Sequence, residues 1–276
     1  MPTHHKIEVL ATGLSFPESP AFDSDGQLWF TELKAGCLTC LQPGGGLRRI
    51  VAGGNVNGMA FDAIGNIWFT DSEGHRLRRY HVREGRFQDE LDSIQGRRLS
   101  RPNDLAFAPN GSLVFSCHAD GRTQPLGYLA VRTAGGSGRI ISANKFFTNG
   151  IVFSSDGKRI YFSETYKQRI WRGFWDDATS TILDEHPWVE TGGPIGPDGL
   201  ALDSEENLYA AIFDQSCVAV ISPAGKVLDT ISLPVKRPTS CAFDPTGRRL
   251  VVTDAEKGWL LAVETVRCGG GKLFYG

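Results

Sequence analysis

The chain has 276 residues, of which 41% are hydrophobic and 22% are charged, and its formal net charge is −2. No excess of basic residues indicates a nucleic-acid partner, and no run of like charges indicates a membrane surface. The first residues lack the apolar core of a signal peptide and no apolar run is long enough to cross a membrane, so we expect a cytoplasmic protein whose six cysteines are reduced thiols.

A phrase of about fifteen residues occurs six times along the chain. Its clearest copy, ESPAFDSDGQLWFTE, begins with a polar residue, continues through a short apolar run and an Asp/Gly turn, and ends in an alternating strand followed by an acid. Successive copies start 39 to 49 residues apart. A repeat in the forties without a helical pattern is typical of β-propeller blades. We call the first residues of the copies the head residues: Glu18, Asn57, Asn103, Asn149, Asp198 and Thr239.

The repeat predicts an all-β chain in which residues 1–276 form a single domain, a six-bladed β-propeller with four antiparallel strands per blade. Residues 6–12 alternate weakly before the first copy, so they predict a strand without a blade of its own. Residues 272–276 predict another short strand. Because an open ring would leave sheet edges exposed, we expect the two terminal strands to lie in the same blade and to close the ring.

The head residues are the candidate functional residues, because first strands line the central channel of a propeller and place equivalent positions around one axis. The alternative is that small polar residues at strand starts satisfy only local turn hydrogen bonds. Glu18 and Asp198 would bring two negative charges to a narrow axis, where a divalent cation would balance them. With the amide oxygens of Asn103 and Asn149 the donors are all oxygen, which favours Ca²⁺ ahead of Mg²⁺ or Mn²⁺ and disfavours Zn²⁺.

Four motifs carry a resemblance that extends over essentially the whole chain. They are F-P-E-S-P at 16–20, R-P-N-D at 101–104, T-N-G-I at 148–151 and G-P-D-G-L at 196–200. In these motifs the chain resembles the regucalcin/gluconolactonase family of six-bladed propellers, also called senescence-marker-protein-like, and more distantly the calcium phosphotriesterases such as diisopropyl-fluorophosphatase. The resemblance implies one divalent metal ion and hydrolysis of a lactone.

The resemblance also implies roles for individual residues. Glu18, Asn149 and Asp198 match the metal ligands of the family, and Asp198 also matches its proposed general base. Asn103 matches a residue that contacts substrate and, in some members, the metal. Arg101 matches a substrate-binding arginine of members that act on sugar lactones. An ion pair at the rim of the channel is the alternative for Arg101.

The third blade departs from the family pattern. Members that act on sugar lactones often have a Glu there that binds substrate hydroxyls, whereas this chain has Cys117, His118, Ala119 and Asp120. The departure leaves open whether the substrate is an aldonolactone, and whether His118 or Asp120 replaces the Glu. We expect His118 to bind substrate; a second acid–base group and a residue of the rim are the alternatives.

The sequence therefore predicts a metal-dependent lactonase, a gluconolactonase-like carboxylic ester hydrolase. The metal would activate water and polarise the carbonyl of a lactone or related ester, and Asp198 would accept the proton. Organophosphate hydrolysis at the same ion is one alternative, and a non-enzymatic propeller that binds a ligand around a structural ion is another. We expect a small-molecule substrate, no nucleic-acid or membrane partner, and a monomer or small homo-oligomer. Phe16, Phe146 and Phe147 precede head residues and are candidates for the pocket wall.

Overall fold

The computed structural model describes residues 5–264 and 273–275 of the chain, and almost all regular structure within them is β-strand. Six four-stranded sheets follow one another along the chain, and in five of them the strands pair in sequence order. Neighbouring strands in the sheets are antiparallel. Each copy of the repeated phrase supplies the first two strands of one sheet, so the predicted six-bladed β-propeller is confirmed.

The strands have the following bounds in chain order: β1 (Ile7–Ala11), β2 (Pro17–Phe22), β3 (Leu28–Glu32), β4 (Cys37–Leu41), β5 (Leu47–Val51), β6 (Val56–Phe61), β7 (Ile67–Asp71), β8 (Arg76–His81), β9 (Arg86–Leu91), β10 (Ser93–Ile94), β11 (Arg97–Arg98), β12 (Pro102–Phe107), β13 (Leu113–Cys117), β14 (Gly127–Arg132), β15 (Gly138–Lys145), β16 (Thr148–Phe153), β17 (Arg159–Glu164), β18 (Arg169–Asp176), β19 (Thr181–Glu190), β20 (Pro197–Leu202), β21 (Leu208–Ile212), β22 (Cys217–Ile221), β23 (Val227–Ser232), β24 (Pro238–Phe243), β25 (Arg249–Asp254) and β26 (Trp259–Glu264). A 3-10 turn, Thr165–Lys167, lies between β17 and β18. In the described part of the chain, no helix has the length and apolar character needed to span a membrane.

The sixth blade contains strands from both ends of the chain. Its strands are ordered β1-β26-β25-β24, and β1 pairs with β26 from Ile7 opposite Val263. The predicted closure of the ring by terminal strands is confirmed, although the C-terminal partner is β26 and not the short segment at 272–276. Residues 272 and 276 of that segment lie outside the described residues, and 273–275 form no strand. Phe274 instead packs edge-to-face on Phe153, with ring centroids 6.4 Å apart.

Neighbouring blades cover both faces of each sheet, so the second strands are buried along most or all of their length. All five residues of β3, of β7, of β13 and of β21 are buried. Aromatic rings fill the space between adjacent blades in edge-to-face pairs, such as Trp29 with Phe61 at 6.3 Å and Trp68 with Phe107 at 6.0 Å. This packing makes the inner strands a rigid wall around the axis.

A buried acid at the end of the second strand fixes the loop that leads into the inner strand. Glu32 accepts the N–H of Ser15 at 2.8 Å, and Asp254 accepts the N–H of Arg237 at 2.9 Å. The same contact is made by two further acids, Asp71 and Glu164. Cys117 and Ile212 occupy this position in the third and fifth blades. The acid that closes the repeated phrase is therefore a structural anchor for the end of the channel where the head residues lie.

Candidate metal centre and substrate pocket

Every head residue lies at an irregularity in its inner strand. In the first blade the pairing of β2 with β3 shifts between Glu18 and Ala21, and the other five inner strands shift at the corresponding place. A bulge of this kind changes the direction of a side chain and is frequent beside active sites. All six head side chains are buried, although they are polar or charged.

Hydroxyl groups of one blade hold the main chain of the next at the head position. Thr31 Oγ1 donates to the carbonyl of Asn57 at 2.6 Å, and Ser163 Oγ donates to the carbonyl of Asp198 at 2.7 Å. Thr70 makes the same contact with Asn103. In these three blades the Thr or Ser near the end of the repeated phrase thus positions the following head residue, which the sequence alone did not indicate.

The residue that follows each head residue lies where one inner strand approaches the next most closely. A Cβ at Gly58 would lie 2.5 Å from the carbonyl oxygen of Asn103, and a Cβ at Gly199 would lie 2.2 Å from Oγ of Ser240. Glycine is therefore required at these positions by neighbouring main chain and side chains. The equivalent residues of the first and third blades, Ser19 and Asp104, have side chains that line the channel next to the head residues.

Three carboxyl groups interact near the axis. Burial, followed by the charges of Asp198 and Asp104, raises the pKa of Glu18 well above its usual range. Burial and the charge of Asp104 raise the pKa of Asp198 well above its usual range. Burial also raises the pKa of Asp104 to about 6, although its carboxylate accepts N–H groups of Ile151 and Leu105. No ion pair between described residues includes any of the three carboxylates.

A cation at this place would need amide oxygens in addition to carboxylates, because no three His, Cys, Asp or Glu side chains in residues 5–264 and 273–275 are arranged to hold a metal. Asn149 is well placed, since its side chain also forms a hydrogen bond with Asp198. Its Nδ2 lies 3.3 Å from Oγ1 of Thr165, which donates to the carbonyl of Pro197 at 2.8 Å. Because the amide nitrogen of Asn149 contacts Thr165, its amide oxygen remains available to a cation. Asn103 is buried on the neighbouring inner strand, β12.

Arg101, His118 and Asp120 lie together at the mouth, by which we mean the channel end formed by the head residues and the loops that join second to third strands. Arg101 Nε and Asp120 Oδ2 form an ion pair at 2.8 Å. Nδ1 of His118 accepts the N–H of Asp120 at 3.0 Å, so the neutral ring has its proton on Nε2. Burial and the charges of Arg101 and Arg122, opposed by Asp120, lower the pKa of His118 to about 4.

Aromatic rings continue from His118 along one side of the mouth. The imidazole of His118 stacks on Phe147 with centroids 4.2 Å apart, and Phe147 contacts Tyr166 at 5.3 Å. The guanidinium of Arg122 lies over both rings, 5.6 Å from Phe147 and 5.7 Å from Tyr166. Of the predicted wall residues, Phe147 therefore belongs to this stack, whereas Phe146 lies under the ammonium of Lys167 at 4.2 Å.

Asp104, Arg122 and Tyr166 were not identified from the sequence. Asp104 carries a signal that the repeat could have revealed, because it is the one charged residue at a position otherwise taken by Ser or Gly in the six copies. Arg122 and Tyr166 carry no such signal, since Arg122 lies in a loop that is longer than its equivalents and Tyr166 lies at a loop position where the residue type varies between blades.

A cavity of about 380 Å³ continues from Ser19 and Asp104 along the channel away from the head residues. Its wall is formed by the inner strands, and apolar rings such as Phe61 and Phe153 line its far part. Residues 273–275 line the far end of this cavity. The head residues thus lie between the loops of the mouth and a cavity that the C-terminal segment lines.

Comparison with known proteins places most of the chain within one family model. Residues 16–256 match the model described as the SMP-30/Gluconolactonase/LRE-like region.

Three curated proteins illustrate the similarity. Pentonolactonase XacC of Haloferax volcanii is 29% identical over 174 residues, which cover 62% of this chain and 53% of the relative. Lactonase drp35 of Staphylococcus aureus is 29% identical over 187 residues, covering 63% of this chain and 53% of the relative. In both cases the chain spans about half the length of the relative. Gluconolactonase of Zymomonas mobilis is 26% identical over 280 residues, covering 90% of this chain and 78% of the relative.

Two solved structures show the same fold. The gluconolactonase XC5397 from Xanthomonas campestris has a TM-score of 0.84 at 21% identity and covers 94% of this chain and 89% of its own. The calcium-binding protein regucalcin from Agrobacterium tumefaciens has a TM-score of 0.83 at 21% identity and covers 98% of this chain and 96% of its own.

Proposed function

Because the chain belongs to the SMP-30/gluconolactonase/LRE-like family, we propose that it is a metal-dependent hydrolase that opens a lactone or a related ester. The relatives named as lactonases support this reaction class. The observation that carries the proposal is the pair of buried head residues Glu18 and Asp198, whose carboxylates interact without a cationic partner in the described part of the chain. Two buried carboxylates that repel each other destabilise the folded protein when no cation is bound. Their presence therefore fits a bound divalent cation.

The donor set fits a hard cation. Glu18 and Asp198 would supply two carboxylates, and Asn103 and Asn149 would supply amide oxygens. Oxygen donors alone suit Ca²⁺, and the structural neighbour regucalcin is itself named as calcium-binding. Mn²⁺, Mg²⁺ and Zn²⁺ are the other ions to test.

A bound cation would polarise the lactone carbonyl and make water more acidic. Beside a positive charge, Asp198 is held in its ionised form and can accept a proton. Asp198 takes this proton as the water oxygen bonds to the carbonyl carbon. The bond from that carbon to the ring oxygen then breaks, and Asp198 returns the proton to the ring oxygen. The product is a hydroxy acid, which releases one proton near neutral pH.

Arg101, Asn103 and His118 would orient the substrate from the mouth. His118 is neutral near pH 7 because its pKa is about 4, so it can donate a hydrogen bond through Nε2 but cannot serve as a charged acid. Arg101 uses Nε for Asp120, which leaves its terminal amino groups for substrate oxygens. These roles make the three residues substrate-binding groups around Asp198.

The test compares the wild-type protein with Asp198→Ala on a panel of lactones, followed with a pH indicator in the presence of each of the four cations. The matched control is Asp25→Ala, since Asp25 is an exposed acid in a turn at the far end of the channel. Loss of turnover in Asp198→Ala with a retained thermal transition supports the proposal. Unchanged turnover rejects the role of Asp198.

The metal is tested separately by thermal melting after chelation. An ion that binds only the folded protein raises the melting temperature with its concentration. A protein that binds none of the four ions and turns over no lactone would instead be a ligand-binding propeller.

A further inference from the structure

In the loops of the mouth, more positively charged than negatively charged side chains lack an ion-pair partner. Four cations in the loops of the mouth, Lys34, Arg122, Lys167 and Lys257, are exposed and have no ion pair among the described residues. The acids of the mouth are mostly engaged: Asp120 pairs with Arg101, Asp214 pairs with Lys236 and Arg237, and Glu256 accepts the N–H of Lys236. Apart from the head residues, which belong to the proposed metal centre, Glu73 on the second blade is the remaining acid. The unpaired charge of the loops around that centre is therefore mostly positive.

Aromatic rings hold two of these cations beside the head residues. Lys34 lies over Phe16, 5.2 Å from its centroid, and Phe16 is two residues before Glu18. Arg122 lies over Phe147, two residues before Asn149. A cation over an aromatic face is attracted by the ring and keeps its charge. Positive charge is thus placed around the entrance to the centre proposed above.

Three groups at the mouth that are open to a ligand are hydrogen-bond donors. Arg101 has terminal amino groups beyond the Nε that binds Asp120, Arg122 has its whole guanidinium, and His118 has Nε2–H. The carboxylate of Asp120 could accept a hydrogen bond from a substrate hydroxyl, but its Oδ2 already binds Arg101. A wall of donors selects an acceptor, and a carboxylate is the strongest acceptor for a guanidinium because it can bind two N–H groups at once.

We propose that the substrate is a lactone that carries a carboxylate, and that Arg122 recognises this carboxylate at the mouth. The inference rests on the proposed lactone hydrolysis and adds the substrate class. The carboxylate of the intact lactone would lie against Arg122 and the terminal amino groups of Arg101, with the ring carbonyl directed towards Glu18 and Asp198. Positive charge around the entrance would also speed the encounter with an anion.

The kinetic test uses a pair of lactones with the same ring. D-galactaro-1,4-lactone carries a carboxylate where D-galactono-1,4-lactone carries a hydroxymethyl group. We expect kcat/KM to be at least about tenfold higher for the carboxylated lactone, since a charge-assisted hydrogen bond is roughly twice as strong as a neutral one. Arg122→Gln should lower kcat/KM about tenfold for that lactone only, and salt at about 0.5 M should weaken the preference. An equal loss for both lactones, or a preference for the neutral one, overturns the inference.

The control variant is Lys226→Gln, which removes a cation from a turn at the opposite end of the propeller and should leave both rates unchanged. A binding measurement separates this inference from the proposed function: thermal melting with galactarate dianion or neutral galactitol at one fixed free Ca²⁺ concentration. If galactarate stabilises the wild-type protein and Arg122→Gln abolishes this effect, the recognition site is supported. If in addition no lactone is hydrolysed, the proposed hydrolysis fails while the recognition site stands. Equal effects of galactarate and galactitol overturn the recognition site.

Discussion

A methyl group on Gly150 would lie 2.4 Å from the carbonyl oxygen of Asp198. That oxygen also accepts the hydroxyl of Ser163 at 2.7 Å, so it has little freedom to move. Gly150→Ala should therefore separate β16 from β20 and displace both Asn149 and Asp198. We expect a loss of about 1–3 kcal/mol in the free energy of unfolding, as for other overpacked sites. Lactone turnover should fall further than this loss of stability explains, because two proposed ligands move together.

The matched control for this change is Gly46→Ala. The nearest atom to a Cβ at Gly46 is Cβ of Gln42 at 3.8 Å, which is an ordinary contact. Denaturant unfolding and kcat/KM at saturating Ca²⁺ measure both variants. A Gly150→Ala protein with wild-type stability and turnover would show that β16 and β20 are not held at this spacing.

The stability of the metal-free protein should decrease as pH rises above 6.5. The pKa values of Glu18 and Asp198 are raised in the folded state, so the folded protein binds protons that the unfolded chain has lost. Stability then falls with rising pH until both groups are ionised. Asp104, with a pKa of about 6, acts in the same direction below this window. His118, with a pKa lowered to about 4, acts in the opposite direction between about 4 and 6.5.

Melting temperatures in a chelator between pH 6.5 and 8.5 test this prediction, and a variant of Asp198 separates the carboxyl groups from the buried cysteine thiols, whose raised pKa values act in the same direction towards pH 8.5. Asp198→Asn should raise the metal-free melting temperature at pH 8 and flatten its pH dependence, since one of the interacting charges is gone. Ca²⁺ should remove the decrease in the wild-type protein by stabilising the ionised carboxylates. A metal-free protein that becomes more stable from pH 6.5 to 8.5 contradicts the electrostatic account of the site.

The fold could be predicted from the sequence because the repeat encodes it locally. Each blade has the same short strands and turns, and the spacing of the head residues alone gives the number of blades. The closing strand was harder to predict. The sequence WLLAVE of β26 and the residues 272–276 both alternate, and only pairing with β1 decides between them.

The candidate site could be predicted in part for the same reason. Glu18, Asn149 and Asp198 occupy equivalent repeat positions, so propeller symmetry brings them together. The contacts of Arg122 with Phe147 and Tyr166 could not be predicted, because they join two loops of different blades with no shared pattern. The pKa of His118 likewise depends on burial that a sequence does not state.

The pH dependence of turnover should not contain a contribution from His118. Its pKa of about 4 keeps the ring neutral throughout the range in which the proposed enzyme works. His118→Gln should lower kcat/KM by about two- to tenfold through loss of one hydrogen bond, without changing the shape of the pH profile from 5.5 to 8. A wild-type limb near pH 6.5 that disappears in the variant would instead identify His118 as an acid–base group.

Phe274 should stabilise the propeller without affecting turnover. Its ring packs edge-to-face on Phe153 and lines the far end of the channel cavity, away from the mouth. Phe274→Ala removes a half-buried ring, so we expect a loss of about 1–3 kcal/mol in the free energy of unfolding, below that of a fully buried Phe. Leu273→Ala is the control, because Leu273 is 58% exposed and should change stability little. Denaturant unfolding and kcat/KM measure both. A fall in kcat/KM of Phe274→Ala at temperatures where the protein remains folded would show that the far end of the channel takes part in the reaction.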